Sequence, residues 1–347
     1  MSTSFMPEQI QHDSLKRHML RFSITSCLIL VLAVSVEWSM SFVTALFVAQ
    51  FLLPGKPPLR LKMVKVLALA VLSCFVAGLA IVLVAQPYPI LLMIIIAWCL
   101  FYVFYRANTG LNELVVLFLL VAIIALPLLA SISRAVALGF VVDFMLAFVF
   151  ALLIVALVQY LVPVDDSFAS KTPAAPVSVV GTDVAIRKAL VSTMVVFPLV
   201  VYFFAFDKLT DLLVVIFVAI LAQHPELSKG AKASVGIVFT NILGGLIAIA
   251  VFNLLVAVPH MLFLTLLVLL SFMLLAQAIY LHPKGAIVAA GLSAYLVILG
   301  STIGSDGGLA NEKFVGRIVQ LSMVGLYIVG SFYLVHKLDV FKLSKRG

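Results

Sequence analysis

One carboxylate lies deep within an apolar stretch of this sequence. Asp143 belongs to the segment GFVVDFMLAF, with apolar residues on both sides. A charged carboxylate is costly in hydrocarbon, so such a group is a candidate for taking up and releasing protons. Arg134 precedes it by nine residues, about 13 Å and half a turn away along a helix, so the two side chains cannot pair directly. We therefore predict that Asp143 takes part in proton coupling. The alternative is that its carboxylate only bonds to a neighbouring helix.

Two apolar runs, 39–53 and 212–222, are unusually short, and an amide side chain lies at the inner end of each. Gln50 and Gln223 lie at their inner ends and can donate hydrogen bonds to a carboxylate substrate. Asn241, beside Gly244, can line a passage in the same way. The alternatives are interhelical bonds for the amides and close helix packing for the glycine. We interpret Gln50, Gln223 and Asn241 as substrate-binding candidates.

Polar residues also concentrate between the fourth and fifth apolar runs and between the tenth and eleventh. The first segment carries Arg106, Asn112 and Glu113, and the second carries His282 and Lys284. Cations at a cytoplasmic mouth attract organic anions by Coulomb steering. Arg106, Glu113 and Lys284 are therefore candidates for that mouth, Asn112 for substrate binding and His282 for proton relay. A plain topology signal is the alternative for the charged residues, and snorkelling or helix capping is the alternative for His282.

The amino-acid composition indicates whether these residues lie in water or in lipid. Hydrophobic residues make up 65% of the 347 residues and charged residues only 10%, with a mean hydropathy of +1.28. A soluble domain of this length needs far more charged residues to cover its surface. The sequence excludes a soluble protein and predicts an all-α polytopic membrane protein, because helices satisfy their own backbone within lipid.

About 12 apolar runs are long enough to be candidate membrane spans, since roughly 20 apolar residues cross a bilayer. They cover residues 19–36, 39–53, 65–84, 88–105, 113–130, 136–162, 189–206, 212–222, 234–257, 261–280, 285–301 and 315–335. With a cytoplasmic N-terminus, 18 of the 22 Lys and Arg residues fall on the cytoplasmic side, and Arg134, Lys208, Lys313 and Arg317 on the other. This asymmetry predicts that both termini are cytoplasmic.

Matching details recur in the same order in both halves of the chain. The matches are Ala49-Gln50 with Ala222-Gln223, Lys62-x-x-Lys65 with Lys229-x-x-Lys232, Pro89 with Pro259, and Arg134-x-Val-x-Leu with Arg317-x-Val-x-Leu. They predict two six-helix membrane repeats, 1–163 and 187–347, joined by a cytoplasmic linker, 164–186. Six is an even number, so the two repeats run in the same direction through the membrane. Arg134 and Arg317 mark the repeat.

The order of these features resembles the fusaric acid resistance and aromatic acid exporter (FUSC-like) superfamily. The likeness rests on the basic residues before the first helix, Trp38 at the turn of a short hairpin, the Ala-Gln and Pro exit, and the arginine at the start of the sixth helix. It implies a compact branch that lacks large cytoplasmic domains. It also implies a bacterial inner-membrane exporter of aromatic or amphipathic carboxylates and drug-like compounds, working with a periplasmic adaptor and an outer-membrane channel.

The function that we predict is proton-coupled export of small organic anions. A passive organic-anion channel and a non-transporting scaffold for an envelope complex are the alternatives. The sequence lacks a Walker motif, a Gly-x-Ser-x-Gly elbow and a His/Cys cluster with metal spacing, so it predicts no enzyme, cofactor or metal. Membrane lipid and a homo-oligomeric partner are expected, and nucleic acid is not.

Overall fold

The computed structural model describes residues 8–36, 41–54, 58–163, 181–206, 227–258, 260–282 and 285–303, together with 327, 330 and 331. Within these ranges the chain forms ten helices and no strand. The helices are α1 (Glu8–Ser35), α2 (Ser41–Phe51), α3 (Leu61–Ala85), α4 (Pro89–Asn108), α5 (Glu113–Ile132), α6 (Arg134–Leu161), α7 (Thr182–Ala205), α8 (Leu227–Ala257), α9 (Met261–Leu281) and α10 (Gly285–Ile303).

Seven of these helices are long and apolar enough to cross a membrane: α1, α3, α4, α5, α6, α7 and α9. Their outward faces carry large apolar side chains at every fourth residue, as Leu20, Ile24, Leu28 and Leu32 do on α1. Such a stripe is suited to lipid and not to water. The prediction of an all-α polytopic membrane protein is confirmed.

Local sequence explains where several helices begin. α4 begins at Pro89, whose fixed φ and missing N–H suit the first helical position. Asn112 caps α5, because its Oδ1 accepts the Leu114 N–H at 2.9 Å. His260 caps α9, since its Nδ1 accepts the Leu262 N–H at 3.2 Å. Each cap satisfies an N–H that the first helical turn leaves without a partner.

The residues divide into two compact units. The first bundle takes Met1–Ala68, Asp143–Ala174 and Phe239–Gly316, and the second takes Leu69–Val142, Ala175–Val238 and Arg317–Gly347. Each bundle therefore combines segments from both predicted six-helix repeats. In the first bundle, α1 packs on α2 and α9, and α9 packs on α10. In the second bundle, α7 packs on α4, and α4 packs on α5.

Helices α4 and α9 show that the two bundles have the same pattern of buried and exposed positions. Each helix buries residues at the same spacing and exposes residues at the same spacing. The buried residues are Leu92, Ile96, Leu100, Val103 and Phe104 of α4, matched by Leu264, Val268, Phe272, Leu275 and Ala276 of α9. The exposed residues are Ile90, Ile94, Trp98 and Tyr102 of α4, matched by Leu262, Leu266, Leu270 and Leu274 of α9.

The partners of these helices, α7 and α1, match in the same way. The buried residues are Phe22, Thr25, Ser26, Leu30 and Ala33 of α1, matched by Ser192, Val195, Val196, Val200 and Phe203 of α7. The exposed residues are Leu20, Ile24, Leu28 and Leu32 of α1, matched by Leu190, Met194, Pro198 and Tyr202 of α7. The same helix surface therefore faces the interior in both bundles.

Glycines let helices approach closely in both bundles. In the first bundle, a Cβ on Gly244 of α8 would collide with the backbone carbonyl of Gly291 on α10. In the second bundle, a Cβ on Gly78 of α3 would lie 2.9 Å from the carbonyl oxygen of Ala122 on α5. For Gly244, the sequence left open a place beside a passage or close helix packing, and the structure shows close helix packing.

The predicted membrane spans can be compared with the described helices. α2 is short, as predicted, and its 11 residues reach only about 16 Å along the helix axis. The predicted spans 212–222 and 315–335 lie outside the described residues, apart from the isolated residues 327, 330 and 331 of the second. The number of 12 spans, the orientation and the six-helix repeats stay predictions.

Candidate functional site

A basic side chain of α1 contacts the end of another helix in the first bundle. Arg21 of α1 is partly buried, and its Nη1 donates to the carbonyl oxygen of Val162, just past the end of α6, at 3.3 Å. Its Nη2 lies 3.3 Å from Nδ1 of His18, one turn earlier on α1. A cation at a helix C-terminus also interacts favourably with the helix dipole. The end of α6 therefore holds the guanidinium in place.

Tyr280 of α9 completes this group. Its hydroxyl donates to the carbonyl oxygen of Leu52, just past the end of α2, at 2.8 Å. Its ring centroid lies 6.4 Å from that of His18 and 6.2 Å from that of Phe22. We call His18, Arg21 and Tyr280 the Arg21 cluster. It joins the ends of α2, α6 and α9 to α1, at the end of the bundle that the charge pattern assigns to the cytoplasm.

Small polar side chains continue along α1 and α9 from this cluster. Ser23 Oγ donates to the carbonyl oxygen of Phe272 at 3.2 Å, and Cys27 Sγ donates to that of Thr265 at 3.5 Å. Further along, the buried hydroxyls of Ser271 and Tyr295 bond to each other, and Ser271 Oγ also donates to the Val268 carbonyl at 2.7 Å. These contacts tie α1, α9 and α10 together through polar groups.

Two further hydroxyls in the first bundle have no partner of this kind. Ser26 of α1 and Thr44 of α2 are 0% and 1% exposed, and neither hydroxyl bonds to another residue in the described part of the chain. A buried hydroxyl without a hydrogen bond is costly, so it is uncommon in a well-packed interior. We call Ser23, Ser26, Thr44, Ser271 and Tyr295 the hydroxyl column.

Four of the predicted site residues belong to the first bundle. Asp143 is partly buried on α6, and the next residue, Phe144, packs with its ring centroid 5.7 Å from that of Phe47 on α2. Gln50 is partly buried near the end of α2, and His282 is exposed directly after α9. Asn241 lies in α8, where its side chain is outside the description. Their proposed roles in proton coupling and substrate binding stay predictions.

Four others belong to the second bundle. Arg106 is exposed in the last turn of α4, and Glu113 is the first residue of α5, with its side chain outside the description. Asn112 caps α5, which gives it a structural role beside the predicted one. Arg134 is exposed at the start of α6, and its Nε donates to Gln86 Oε1 at 3.4 Å. Gln86 in turn donates to the carbonyl of Ala130, so this arginine is part of a helix-end network.

The remaining predicted residues, Gln223, Lys284 and Arg317, lie outside the described residues. The structure assigns the other eight to two separate units. We therefore describe no single site formed by the predicted set.

Sequence reasoning missed the Arg21 cluster and the hydroxyl column. Arg21 was assigned to the cytoplasmic surface, although it lies inside the predicted span 19–36. A charge within a span is itself a signal of function, and comparison with Val191 at the matching position of α7 would have strengthened it. The hydroxyl column gives little signal in sequence, because Ser and Thr are common in membrane helices.

Comparison with known proteins adds a partial family relation. A family model described as a protein of unknown function (DUF2955) matches residues 18–158. That family consists of membrane proteins. The matched range runs from α1 to α6, which is less than half of the chain and lies within the first predicted repeat. No curated protein and no solved structure matches this chain.

Proposed function

We propose that this membrane protein transports small organic anions out of the cell, and that the Arg21 cluster binds the anion on the cytoplasmic side. The observation that carries the proposal is the partly buried guanidinium of Arg21 between α1 and the end of α6. A charged side chain within a membrane-spanning helix is costly, and it is most often found where an ion or substrate passes.

The chemistry of the cluster suits a carboxylate. A guanidinium binds a carboxylate through two parallel N–H donors, and such charge-assisted bonds are about twice as strong as neutral ones. Two acceptors are described for Arg21, the Val162 carbonyl and the His18 ring. In this proposal an incoming carboxylate takes the place of one of these acceptors and accepts a charge-assisted bond from the guanidinium.

The hydroxyl column supports the next step of the proposal. In this proposal the buried hydroxyls of Ser26 and Thr44, in the same bundle, bond to the anion as it passes. The helix surfaces around them are apolar, which suits the ring or chain of an amphipathic carboxylate. The anion class itself comes from the resemblance to FUSC-like exporters.

The proposal keeps the remaining expectations from the sequence. Asp143 and His282 are the candidates for coupling to protons, and Gln50 is a candidate for contact with the substrate. The proposed location is the bacterial inner membrane, with a periplasmic adaptor and an outer-membrane channel as partners and with a homo-oligomeric assembly.

The test is efflux of radiolabelled benzoate from proteoliposomes, with and without a proton gradient. Arg21→Gln removes the charge, so we expect the apparent KM for benzoate to rise about tenfold to a hundredfold, as the loss of a charged hydrogen bond implies. Arg17→Gln is the matched control, because Arg17 is exposed one turn earlier on the same helix. Its KM should stay within about twofold of wild type, as expected for a screened surface charge.

Folding is checked by size-exclusion chromatography and thermal stability, and Arg21→Lys keeps the charge if Arg21→Gln is unstable. Equal KM values for the folded Arg21 and Arg17 variants would refute the role of the cluster. An absence of benzoate flux in wild-type vesicles would count against benzoate-like substrates. Conductance without a proton gradient would replace the coupled exporter with a passive channel.

A further inference from the structure

A large apolar groove lies on the second bundle, between α4 and α7. Its volume is about 850 Å³. Aromatic rings line it from both helices, with Trp98 and Phe101 on α4 and Phe197 on α7, and the other lining side chains are mostly aliphatic. The hydroxyl of Thr193 also faces the groove but already donates to the Ala189 carbonyl at 2.8 Å.

Trp98 occupies an unusual depth for a tryptophan. It comes nine residues after Pro89 and ten before Asn108, the ends of the 20-residue helix α4. A helix of this length spans about 30 Å, the thickness of the hydrocarbon layer. Trp98 is therefore at the centre of the layer, whereas lipid-facing tryptophans concentrate at its two surfaces, where the indole N–H meets water or lipid carbonyls.

The indole N–H of Trp98 donates to no acceptor among the described residues. The side chain is 71% exposed, its ring contact is with Phe101 at 6.3 Å between centroids, and no hydrogen bond joins it to a residue in the described part of the chain. Lipid ester carbonyls lie roughly 15 Å away, half the thickness of the layer. The acyl chains around Trp98 offer no acceptor.

The first bundle shows what the same surface looks like without a groove residue of this kind. Leu270 of α9 stands at the position that matches Trp98, and it is also exposed. Cys27 stands at the position that matches Phe197, and its Sγ donates to the Thr265 carbonyl, which ties α1 to α9. An aliphatic surface is sufficient for lipid contact there, so lipid contact alone does not require a tryptophan.

We propose that the groove of the second bundle is a binding site for an uncharged, ring-containing molecule with one hydrogen-bond acceptor, which the Trp98 N–H binds. The aromatic side chains provide stacking and edge contacts for the ring, and the aliphatic wall excludes charged groups. The central depth requires a neutral molecule that enters from the membrane. This site is independent of the Arg21 cluster and does not require that the protein transports anions.

The test uses Trp98 as its own reporter. The chain has two tryptophans, so Trp38→Phe leaves Trp98 as the only one in the otherwise intact protein, reconstituted in lipid nanodiscs. Two brominated quenchers of similar shape are titrated: 4-bromoacetophenone, which has a carbonyl acceptor, and 1-bromo-4-ethylbenzene, which has none. We expect saturable quenching by the ketone and about tenfold weaker binding of the hydrocarbon, as the loss of one hydrogen bond implies.

The matched reference protein carries Trp38→Phe, Trp98→Phe and Leu270→Trp, which moves the reporter to the corresponding position of the first bundle. There the ketone should quench without saturation, by partition into lipid only. Ala97→Leu fills the groove beside Trp98 and should weaken ketone binding at least tenfold, and Met93→Phe does the same from the previous turn if Ala97→Leu is unstable.

Non-saturable quenching of both reporters would overturn the site. Equal affinity for the ketone and the hydrocarbon would overturn the role of the indole N–H. A third outcome is tested with phospholipids brominated along their acyl chains. Quenching of Trp98 by these lipids that the ketone cannot reverse would assign the groove to a lipid chain and refute the proposal.

Discussion

In the first bundle α1 packs on α9 with Thr25 and Ser26 buried, whereas the matching pair in the second bundle, α7 on α4, buries Val195 and Val196. The same contrast holds on the partner helices, where Tyr295 of α10 and Ser271 of α9 are buried polar residues of the first bundle. On α4 and α7 of the second bundle, Ser192 is the one polar residue among the buried residues described, and the others are aliphatic or aromatic. The two bundles therefore pack matching helices in the same way but differ in the polarity of the residues that they bury.

The contrast is sharpest at the inner end of each pair. Arg21 of α1 is matched by Val191 of α7, which is 0% exposed. Arg21 has the Val162 carbonyl and the His18 ring as acceptors, and His18 is matched by Lys188. The first bundle thus has a basic side chain at a position where the second bundle has a buried aliphatic one.

The outward faces differ in the opposite sense. The first bundle presents Leu270 and Leu274 to the lipid where the second presents Trp98 and Tyr102. Most of the buried polar side chains described belong to the first bundle, whereas Trp98 and Tyr102 place exposed aromatic rings on the second. This division agrees with the two proposals, an anion site in the first bundle and a membrane-facing ligand site on the second.

Val191→Arg should have the largest effect on stability. It places a guanidinium at the position of the second bundle that matches Arg21, where Val191 belongs to a buried cluster of aliphatic and aromatic side chains. We expect the free energy of unfolding to fall by about 3 to 5 kcal/mol, the cost of a buried charge without a partner. Titration with a denaturing detergent, followed by circular dichroism, measures it.

Leu190→Arg is the control, because Leu190 is 40% exposed and an arginine there can extend to the membrane surface. A Val191→Arg protein as stable as the Leu190→Arg protein would show that both bundles accept a charge at this depth. The difference between Arg21 and Val191 would then no longer distinguish the two bundles.

The glycine crossings should give the next largest effect. A methyl group on Gly244 meets the backbone of Gly291, which cannot move away without separating α8 from α10. Gly244→Ala should cost about 1 to 3 kcal/mol of unfolding free energy, as overpacking does. Gly139→Ala on α6 is the control, because nothing lies within 4 Å of its added Cβ; it should gain up to about 1 kcal/mol from helix propensity. Equal stability of the two variants would contradict the close crossing.

The sequence predicted the helical elements well because their physical cause is local. Long apolar runs must be helical in lipid, and α4 and α9 begin and end within a few residues of the predicted spans 88–105 and 261–280. The short α2 was also predicted from length alone. Helix caps such as Asn112 depend on neighbouring residues, although the sequence interpretation gave Asn112 a substrate role instead.

The candidate site was much harder to predict because it depends on which helices become neighbours. Arg21 donates a hydrogen bond to Val162, 141 positions away, and Ser23 donates one to a residue 249 positions away. No periodicity in one sequence reports such pairings. Asp143 attracted attention as a carboxylate, whereas small hydroxyls such as Ser26 become informative only once their burial is known.

The Ser271 and Tyr295 pair should give a smaller effect that a double-mutant cycle can resolve. Ser271→Ala leaves the Tyr295 hydroxyl buried without this partner, so we expect a loss of about 1 to 3 kcal/mol. Tyr295→Phe should cost less, because Ser271 keeps its bond to the Val268 carbonyl. The double variant should be no less stable than Ser271→Ala, since no hydroxyl of the pair remains unpaired. Additive losses would show that the two hydroxyls act separately.

Ser26→Ala and Thr44→Val should have the smallest effect on stability, and this separates function from packing. Neither hydroxyl bonds to another described residue, so their removal should leave the unfolding free energy unchanged or raise it by up to about 1 kcal/mol. Benzoate efflux should nevertheless slow about fivefold or more, as the loss of one hydrogen bond to a passing anion implies. Val196→Ala, at the position that matches Ser26, should leave efflux unchanged when its stability loss is taken into account. If the Ser26 and Thr44 variants transport normally, the hydroxyl column is only packing, and the Arg21 cluster alone distinguishes the interior of the first bundle.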